Sequence, residues 1–305
     1  MTMDYASSIP AHFNESFARD VLNYRSRERD KMIARNLSTI RNVGPTVQKD
    51  TITFYEKTGG NDTIAAKITA KGDVPEQVGM KGNELTHSMY QISVGFMING
   101  RDLTLDPAIQ RRKIEIATAE IRRREDYIWI NGDTETGLTG LVTASANNPN
   151  GKVVAYGSSS SSPNVDSKGN WAGTDTFVDI YTDVLEACDR IGEDFEPKFL
   201  CGTRATIAPI RKMDDLRNRY ADQILDLFGA ASTADFIRTS KYFPAGYAFV
   251  VAQDMEFMEF VISEDLVVDT SFPKEPGDNY RVELREWVNP VEFHSNEGVA
   301  EIYTL

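Results

Sequence analysis

The sequence predicts an α+β fold in which the chain leaves one structural unit, builds a second and returns to the first. Three observations carry this expectation. Residues 278–305 form a long extended pattern: Val282, Leu284 and Trp287 stand between Arg281, Glu283 and Arg285, and Val299, Ile302 and Leu305 close the chain. A β-rich ending left unpaired would fray, so it must join a sheet laid down earlier. Residues 106–131 read as a single long helix, and the remaining strands and helices alternate with no regular βαβ period.

The elements follow in order. Residues 11–37 look helical, with Phe13, Phe17, Val21 and Tyr24 on one face, and a turn at Val43, Gly44 and Pro45 ends them. The stripe is sparse beyond Tyr24, so this helix needs a larger body to dock on. Residues 51–57 and 63–71 read as strands of a hairpin across Gly59, Gly60, Asn61 and Asp62, which is turn chemistry. The hairpin is thin in apolar residues, and a two-stranded hairpin alone is marginal in water, so it suits a segment lying across a neighbouring molecule. Residues 84–98 return in extended form, with Ile92, Val94 and Phe96 alternating.

The long helix opens with Asp106 as N-cap and Pro107 at its first position. Ile114, Ala117, Ile121 and Ile128 share one face, with Arg111, Arg112, Arg122, Arg123 and Arg124 around them. About 25 residues at 1.5 Å each span roughly 37 Å. Gly132 terminates the helix, and Gly137, Leu138, Thr139, Gly140 and Leu141 turn the chain back toward the core. Residues 157–173 are rich in Ser, Gly and Asn and read as a surface loop. Beyond it come an amphipathic helix at 176–191, a short buried strand at 198–201, a helix capped by Thr203, a helix at 216–229, and strands at 243–251 and 257–268.

The net charge of -13 argues against a protein that grips nucleic acid over most of its surface, because phosphate would be repelled. The charge is uneven, since residues 1–48 hold seven basic side chains against five acidic ones. Cys188 and Cys201 lie in apolar runs, which suits buried thiols in a reducing compartment. No basic start and apolar core open the chain as in a signal peptide, and no apolar run reaches the length of a membrane span.

A search for catalytic chemistry finds little. His12, His87 and His294 show no metal-ligand spacing, and they read as structural histidines. The oxygen-rich run 131–137 lacks the first Asp and distal Glu of a calcium loop and reads as a capping turn. Asp254, Glu256, Glu259, Glu264, Asp265 and Asp269 read as solvent-facing positions on strands. Gly151 and Lys152 have no upstream Gly at the spacing of a phosphate-cradling loop. No catalytic, cofactor-binding or metal-ligating residue is assigned, and an enzyme with a two-lobed body is the weakest of the functional classes.

This ordering of elements resembles the major capsid proteins of tailed phages and head-tailed viruses, whose Hong Kong 97-like fold is shared by the encapsulin shells. The matching residues are the run Asp126, Tyr127, Ile128, Trp129, Ile130, Asn131 and Gly132, the turn from Gly137 to Gly140, and the returning strand. The resemblance implies an N-terminal arm over 1–50, an extended E-loop over 51–85 and a peripheral domain with a long spine helix over 86–145. It further implies an axial domain over 146–274 and return strands of the peripheral domain over 275–305. It implies a non-enzymatic subunit without cofactor that assembles with itself into pentamers and hexamers, the E-loop overlapping a neighbour's spine helix. Scaffolding, portal or cement proteins are further implied partners, with weak contact to packaged double-stranded DNA, no membrane, and assembly in the host cytoplasm into a virion capsid. The alternative is an encapsulin-type compartment around a cargo enzyme, in which Phe13, Phe17 and Val21 would help form a groove. Some members link an E-loop lysine to a neighbour's asparagine with help from a glutamate, and Lys57, Lys67, Lys71 and Asn289 lie in the matching segments.

Overall fold

The computed structural model describes residues 23, 32–45, 49–57, 80–99, 107–148, 152–154, 171, 177–191, 195–211, 219–255, 257–271 and 279–304. The expected helix over 11–37 is described chiefly at its end, α1 (Ile33–Leu37), with Ile33, Ala34 and Leu37 buried. His12, Phe13, Phe17 and Val21 fall outside the described residues. Directly after α1 runs a strand the sequence did not announce, β1 (Thr39–Asn42).

Two sheets organise the body. The first has the order β1, β9 (Met258–Ser271), β10 (Asn279–Phe293), β4 (Tyr90–Asn99). β1 lies parallel to β9 at one edge, while β10 is antiparallel to both β9 and β4. On β4 the expected alternation holds, with Ile92 and Ile98 buried and Val94 and Phe96 half-buried on the same face. That face receives the long helix α2 (Pro107–Asn131), whose stripe of Ile114, Ala117, Ile121 and Ile128 is buried. The length and stripe match the sequence expectation. Strand and helix bury their apolar stripes against each other because neither can do so alone.

The second sheet has the order β5 (Lys152–Val154), β11 (Val299–Tyr303), β8 (Tyr247–Ala252), β6 (Pro197–Gly202), β7 (Ile237–Thr239). Ala248 to Ala252 on β8 are all buried, as expected of a central strand covered on both faces. The helix α4 (Phe177–Asp189) packs on this sheet through Ile180, Val184 and Ala187, with Trp171 donating to the buried Asp183 at 2.8 Å. Between α2 and this sheet lies α3 (Leu141–Asn147).

Several expectations are corrected. β2 (Lys49–Lys57) pairs antiparallel with β3 (Met80–Ser88), and its expected hairpin partner 63–71 falls outside the described residues. The run 216–229 is no single helix. Its described part is α6 (Tyr220–Gln223) followed by a 3-10 turn, Leu225–Phe228, which Gly229 closes at φ 55°. The stretch 278–305 was expected in one sheet with β4. It splits instead: β10 pairs with β4 and β9, but β11 crosses to the second sheet, antiparallel to β8 and parallel to β5. On β10 the buried face runs Val282, Leu284, Glu286, Val288, so Trp287 stands on the other side and a glutamate takes the core position expected of it.

Two expectations about local structure hold in detail. Thr203 caps α5 (Arg204–Ile207) by accepting from the Thr206 N–H. Gly132 ends α2 at φ 76°, its N–H donating to the Ile128 carbonyl at 2.7 Å. The turn that follows folds back until Gly140 lies against the helix end: a Cβ on Gly140 would meet backbone of Gly132 and Asn131 and the Ile130 carbonyl, the last at 2.7 Å.

Candidate assembly site

Among the described residues an extended polar network forms where α1 and β1 dock. Three residues of α2 hold this segment. Asp126 Oδ1 accepts from the backbone N–H groups of Ile33 at 2.9 Å and Ala34 at 3.0 Å, so a residue about ninety positions away caps α1. Such N–H groups lack partners within a helix and need an outside acceptor. Trp129 is fully buried and its indole N–H donates to Ser38 Oγ at 2.8 Å. Glu125 Oε1 receives two bonds from the Arg35 guanidinium, from Nε at 2.9 Å and from Nη2 at 2.6 Å.

Arg35 also reaches Glu286 Oε2 on β10 and Asp265 Oδ1 on β9, both at 3.1 Å, and its Cζ lies 4.9 Å from the centre of the Phe260 ring. Glu125 and Glu286 are fully buried, whereas Asp265 is exposed. Burial works to lower the Arg35 pKa, but the attraction of Glu125, Glu286 and Asp265 outweighs it and raises the pKa above its ordinary value. One cation therefore joins the long helix to two strands of the first sheet.

A second charged group secures β1. Arg41 Nε lies 2.9 Å from Glu259 Oε2, and His294 Nε2 lies 3.4 Å from the same oxygen. Burial lowers the His294 pKa, and Arg41 lowers it further, against the pull of Glu259. Nearby, Glu292 Oε2 accepts from Asn289 Nδ2 at 2.8 Å. Burial pushes the Glu292 carboxyl up to about 7 despite that bond, with Glu259 adding to the shift and Arg41 opposing it. Burial likewise pushes Asp126 up to about 6, against the two N–H bonds it accepts.

The surface around α2 is of a different kind. Ile116 and Met97 are both more than three-fifths exposed. Lys113 Nζ donates to the Met97 carbonyl at 2.7 Å, tying the backbone of β4 to α2, while the Met97 side chain stands on the face of β4 opposite the helix. Tyr127, farther along the helix, is also exposed. Among the described residues the ribbon β2–β3 is hydrogen-bonded within itself and pairs with neither of the larger sheets.

The sequence candidates are distributed as follows. His294 is the one histidine of the three with described side-chain contacts, and it sits in the Glu259 group; β3 carries His87. Asp254, Asp265 and Asp269 are exposed as expected, but Glu259 is buried and paired with Arg41, which corrects its reading as a solvent-facing residue. Glu256 falls outside the described residues. Asp133 accepts from Thr136 Oγ1 at 2.7 Å, from the Thr136 N–H at 3.2 Å and from Arg124 at 2.8 Å, the capping turn expected of 131–137. The Thr136 hydroxyl leads the interactions that hold its carboxyl below the usual range. Asn289 is buried, Lys57 lies at the end of β2, and Lys67 and Lys71 fall outside the described residues. Among the described residues no cluster of His, Cys, Asp and Glu suits a metal ion, and no helix is long and apolar enough to cross a membrane. Burial pushes the Cys188 thiol up to about 12 and raises that of Cys201 as well. The sequence reading missed Arg35, Glu125, Asp126 and Glu286, although Glu125 and Glu286 each interrupt an apolar stripe, and that signal was available.

This arrangement has counterparts among solved structures. A virus-like particle from Pyrococcus furiosus superposes with a TM-score of 0.60 at 11% identity, over 95% of this chain and 99% of that one. The capsid of Myoviridae phage XM1 superposes with a TM-score of 0.59 at 12% identity, over 90% and 92% of the two chains. The chain has the fold of phage capsid subunits. The capsid of an empty GTA particle gives a TM-score of 0.58 at 16% identity over 89% of each chain. No protein-family model and no curated protein matches the chain.

Proposed function

We propose that the chain is a viral major capsid protein that assembles with itself into an icosahedral shell around double-stranded DNA. The observation that carries the reading is the coverage: the likeness to capsid subunits extends over about nine-tenths of both chains. The exposed Ile116 on α2 and Met97 on β4, and a β2–β3 ribbon that among the described residues pairs with neither larger sheet, are the surfaces this reading assigns to intersubunit contact. In this reading residues 1–50 are the arm, 51–85 the E-loop and 86–145 the peripheral domain with α2 as spine. Residues 146–257 with β11 form the axial domain, and β9 and β10 are strands of the peripheral sheet, β10 being the return strand. The net charge of -13 suits a wall that contains DNA mechanically and touches it weakly. Pentamers and hexamers with cyclic symmetry, assembled in the host cytoplasm, are the expected units, with scaffolding, portal or cement proteins as helpers.

A second reading is an encapsulin-type compartment with a cargo enzyme. It is favoured by the Pyrococcus particle, whose chain is covered almost completely.

Negative-stain electron microscopy of the purified chain tests the shared premise. Closed particles are expected from the wild type, and I116D/M97D, altering two exposed side chains, should stay folded without forming them. A chain that remains monomeric under all conditions overturns both readings. Particles from the native source that protect genomic DNA from nuclease support the virus, and a co-purifying enzyme supports the compartment.

A further inference from the structure

An open cleft of about 1120 Å³ lies between the N-terminal segment and the helices that flank β7. Its described lining includes three guanidinium-bearing residues, Arg211, Arg219 and Arg238, and no acidic residue. This is unexpected on a chain with a net charge of -13. Asp235, on α7 (Thr233–Phe236) beside the cleft, is engaged instead in the capping box with Ser232. Arg238 is held in place: it donates to the carbonyls of Ala234 and Ile237, and its Cζ lies 5.1 Å from the centre of the Phe199 ring. Arg211 and Arg219 are exposed, and among the described residues nothing pairs with either. The cleft thus combines one fixed cation with two free ones, and adds the hydroxyl-bearing Thr233 and Thr239 and the amide of Asn36.

We infer that this cleft binds phosphate groups. Guanidinium presents a planar fork of donors that matches an oxyanion in two-point contact. A lone carboxylate would neutralise one of the three cations. A phosphodiester run or a short polyphosphate brings several negative charges and enough oxygens for every fork and hydroxyl. The volume also exceeds what a single small anion fills. Phosphate of this kind has two sources, a free phosphoanion or a nucleic-acid backbone. The inference stands whether or not the chain builds a shell, because the cleft lies within one subunit.

The test is calorimetric titration of the full-length chain with sodium tripolyphosphate at low salt, with a fluorescein-labelled single-stranded oligonucleotide as a second arm. Arg211→Gln with Arg219→Gln removes the two free cations. Arg123→Gln with Arg190→Gln removes the same charge from surface ion pairs elsewhere. Arg238 is left intact because its loss would also disturb packing. Tripolyphosphate should bind the wild type, and the cleft pair should weaken it by at least about tenfold, the loss of one good charge-assisted contact. The control pair should change it by less than about twofold, as expected of exposed ion pairs. Tripolyphosphate binding without oligonucleotide binding assigns the free phosphoanion; oligonucleotide binding that depends on Arg211 and Arg219 assigns the nucleic-acid backbone. Absence of tripolyphosphate binding at millimolar concentration, or equal losses in the two pairs, overturns the inference.

Discussion

Replacing Arg35 by Met tests whether the buried cation holds the N-terminal segment to the body. The substitution keeps the length of the stem and removes the charge. Arg35 meets Glu125 at 2.6 Å and Glu286 at 3.1 Å, and both carboxylates are buried. With charge centres about 4 Å apart and an effective dielectric of 20, each contact amounts to about 4 kcal/mol of attraction. Desolvation of the three groups cancels much of this in the intact protein. Once the guanidinium is gone, the two buried carboxylates lose its compensating charge, and the loss should be about 3–5 kcal/mol. The exposed Asp265 contact adds little, as water screens it. Urea unfolding of the unassembled chain, followed by tryptophan fluorescence, reads the effect, since Trp129 is buried against the docked segment. At a slope of about 3 kcal/mol per molar urea, the midpoint should fall by about 1 M or more. Arg35→Lys should recover part of the loss, because an ammonium cannot serve Glu125 with two donors and Glu286 as well. The triple variant R35M/E125L/E286L should recover most of it, since a well-packed apolar replacement of a buried charged triad is often neutral. A cost below about 1 kcal/mol for Arg35→Met, or a triple variant worse than the single, would refute the reasoning.

Four further outcomes are expected. Glu292 and Asp126 have carboxyl pKa values raised to about 7 and about 6, so the folded state holds their protons more tightly than the unfolded chain does. Their contribution to stability is therefore complete below about pH 4 and lost as the pH rises through 6 to 7; Glu292→Gln should flatten the gain seen on acidifying from pH 8 to 5. His294, with a lowered pKa, acts in the opposite sense, and His294→Gln should steepen that gain; thermal unfolding at a series of pH values checks both. Gly140→Ala should cost about 2–4 kcal/mol by urea unfolding, because its Cβ would meet backbone that cannot move aside without opening the end of α2. Deleting residues 298–305 should abolish folding or assembly, since β11 lies between β5 and β8; normal particles from the truncated chain would refute its placement.

Periodicity made much of the architecture readable. The stripe of Ile114, Ala117, Ile121 and Ile128 defined α2, the alternation of Ile92, Val94 and Phe96 defined β4, and both patterns reflect a single face buried against a single partner. The glycines at 132 and 140 marked the turn for an equally local reason. Short elements such as β1 and α7 span too few residues to show a period. The hairpin partner expected for β2, residues 63–71, lies outside the described residues, and turn chemistry at 59–62 marks a bend without saying how far the ladder extends.

The candidate site was less legible. Glu125 and Glu286 could have been flagged as charges at core positions, yet nothing in the sequence says that both answer to Arg35, with Asp126 capping a helix some ninety residues earlier. Those are contacts between distant segments, and no local propensity encodes them. The closing residues show the same division. By itself the sequence determined that 278–305 is extended and must be paired, because alternating apolar side chains need a covered face. Only the tertiary structure decided the partners: β10 beside β4 and β9, and β11 across in the second sheet between β5 and β8. Pairing partners are selected by which edges the rest of the fold leaves open, and that choice is made in three dimensions.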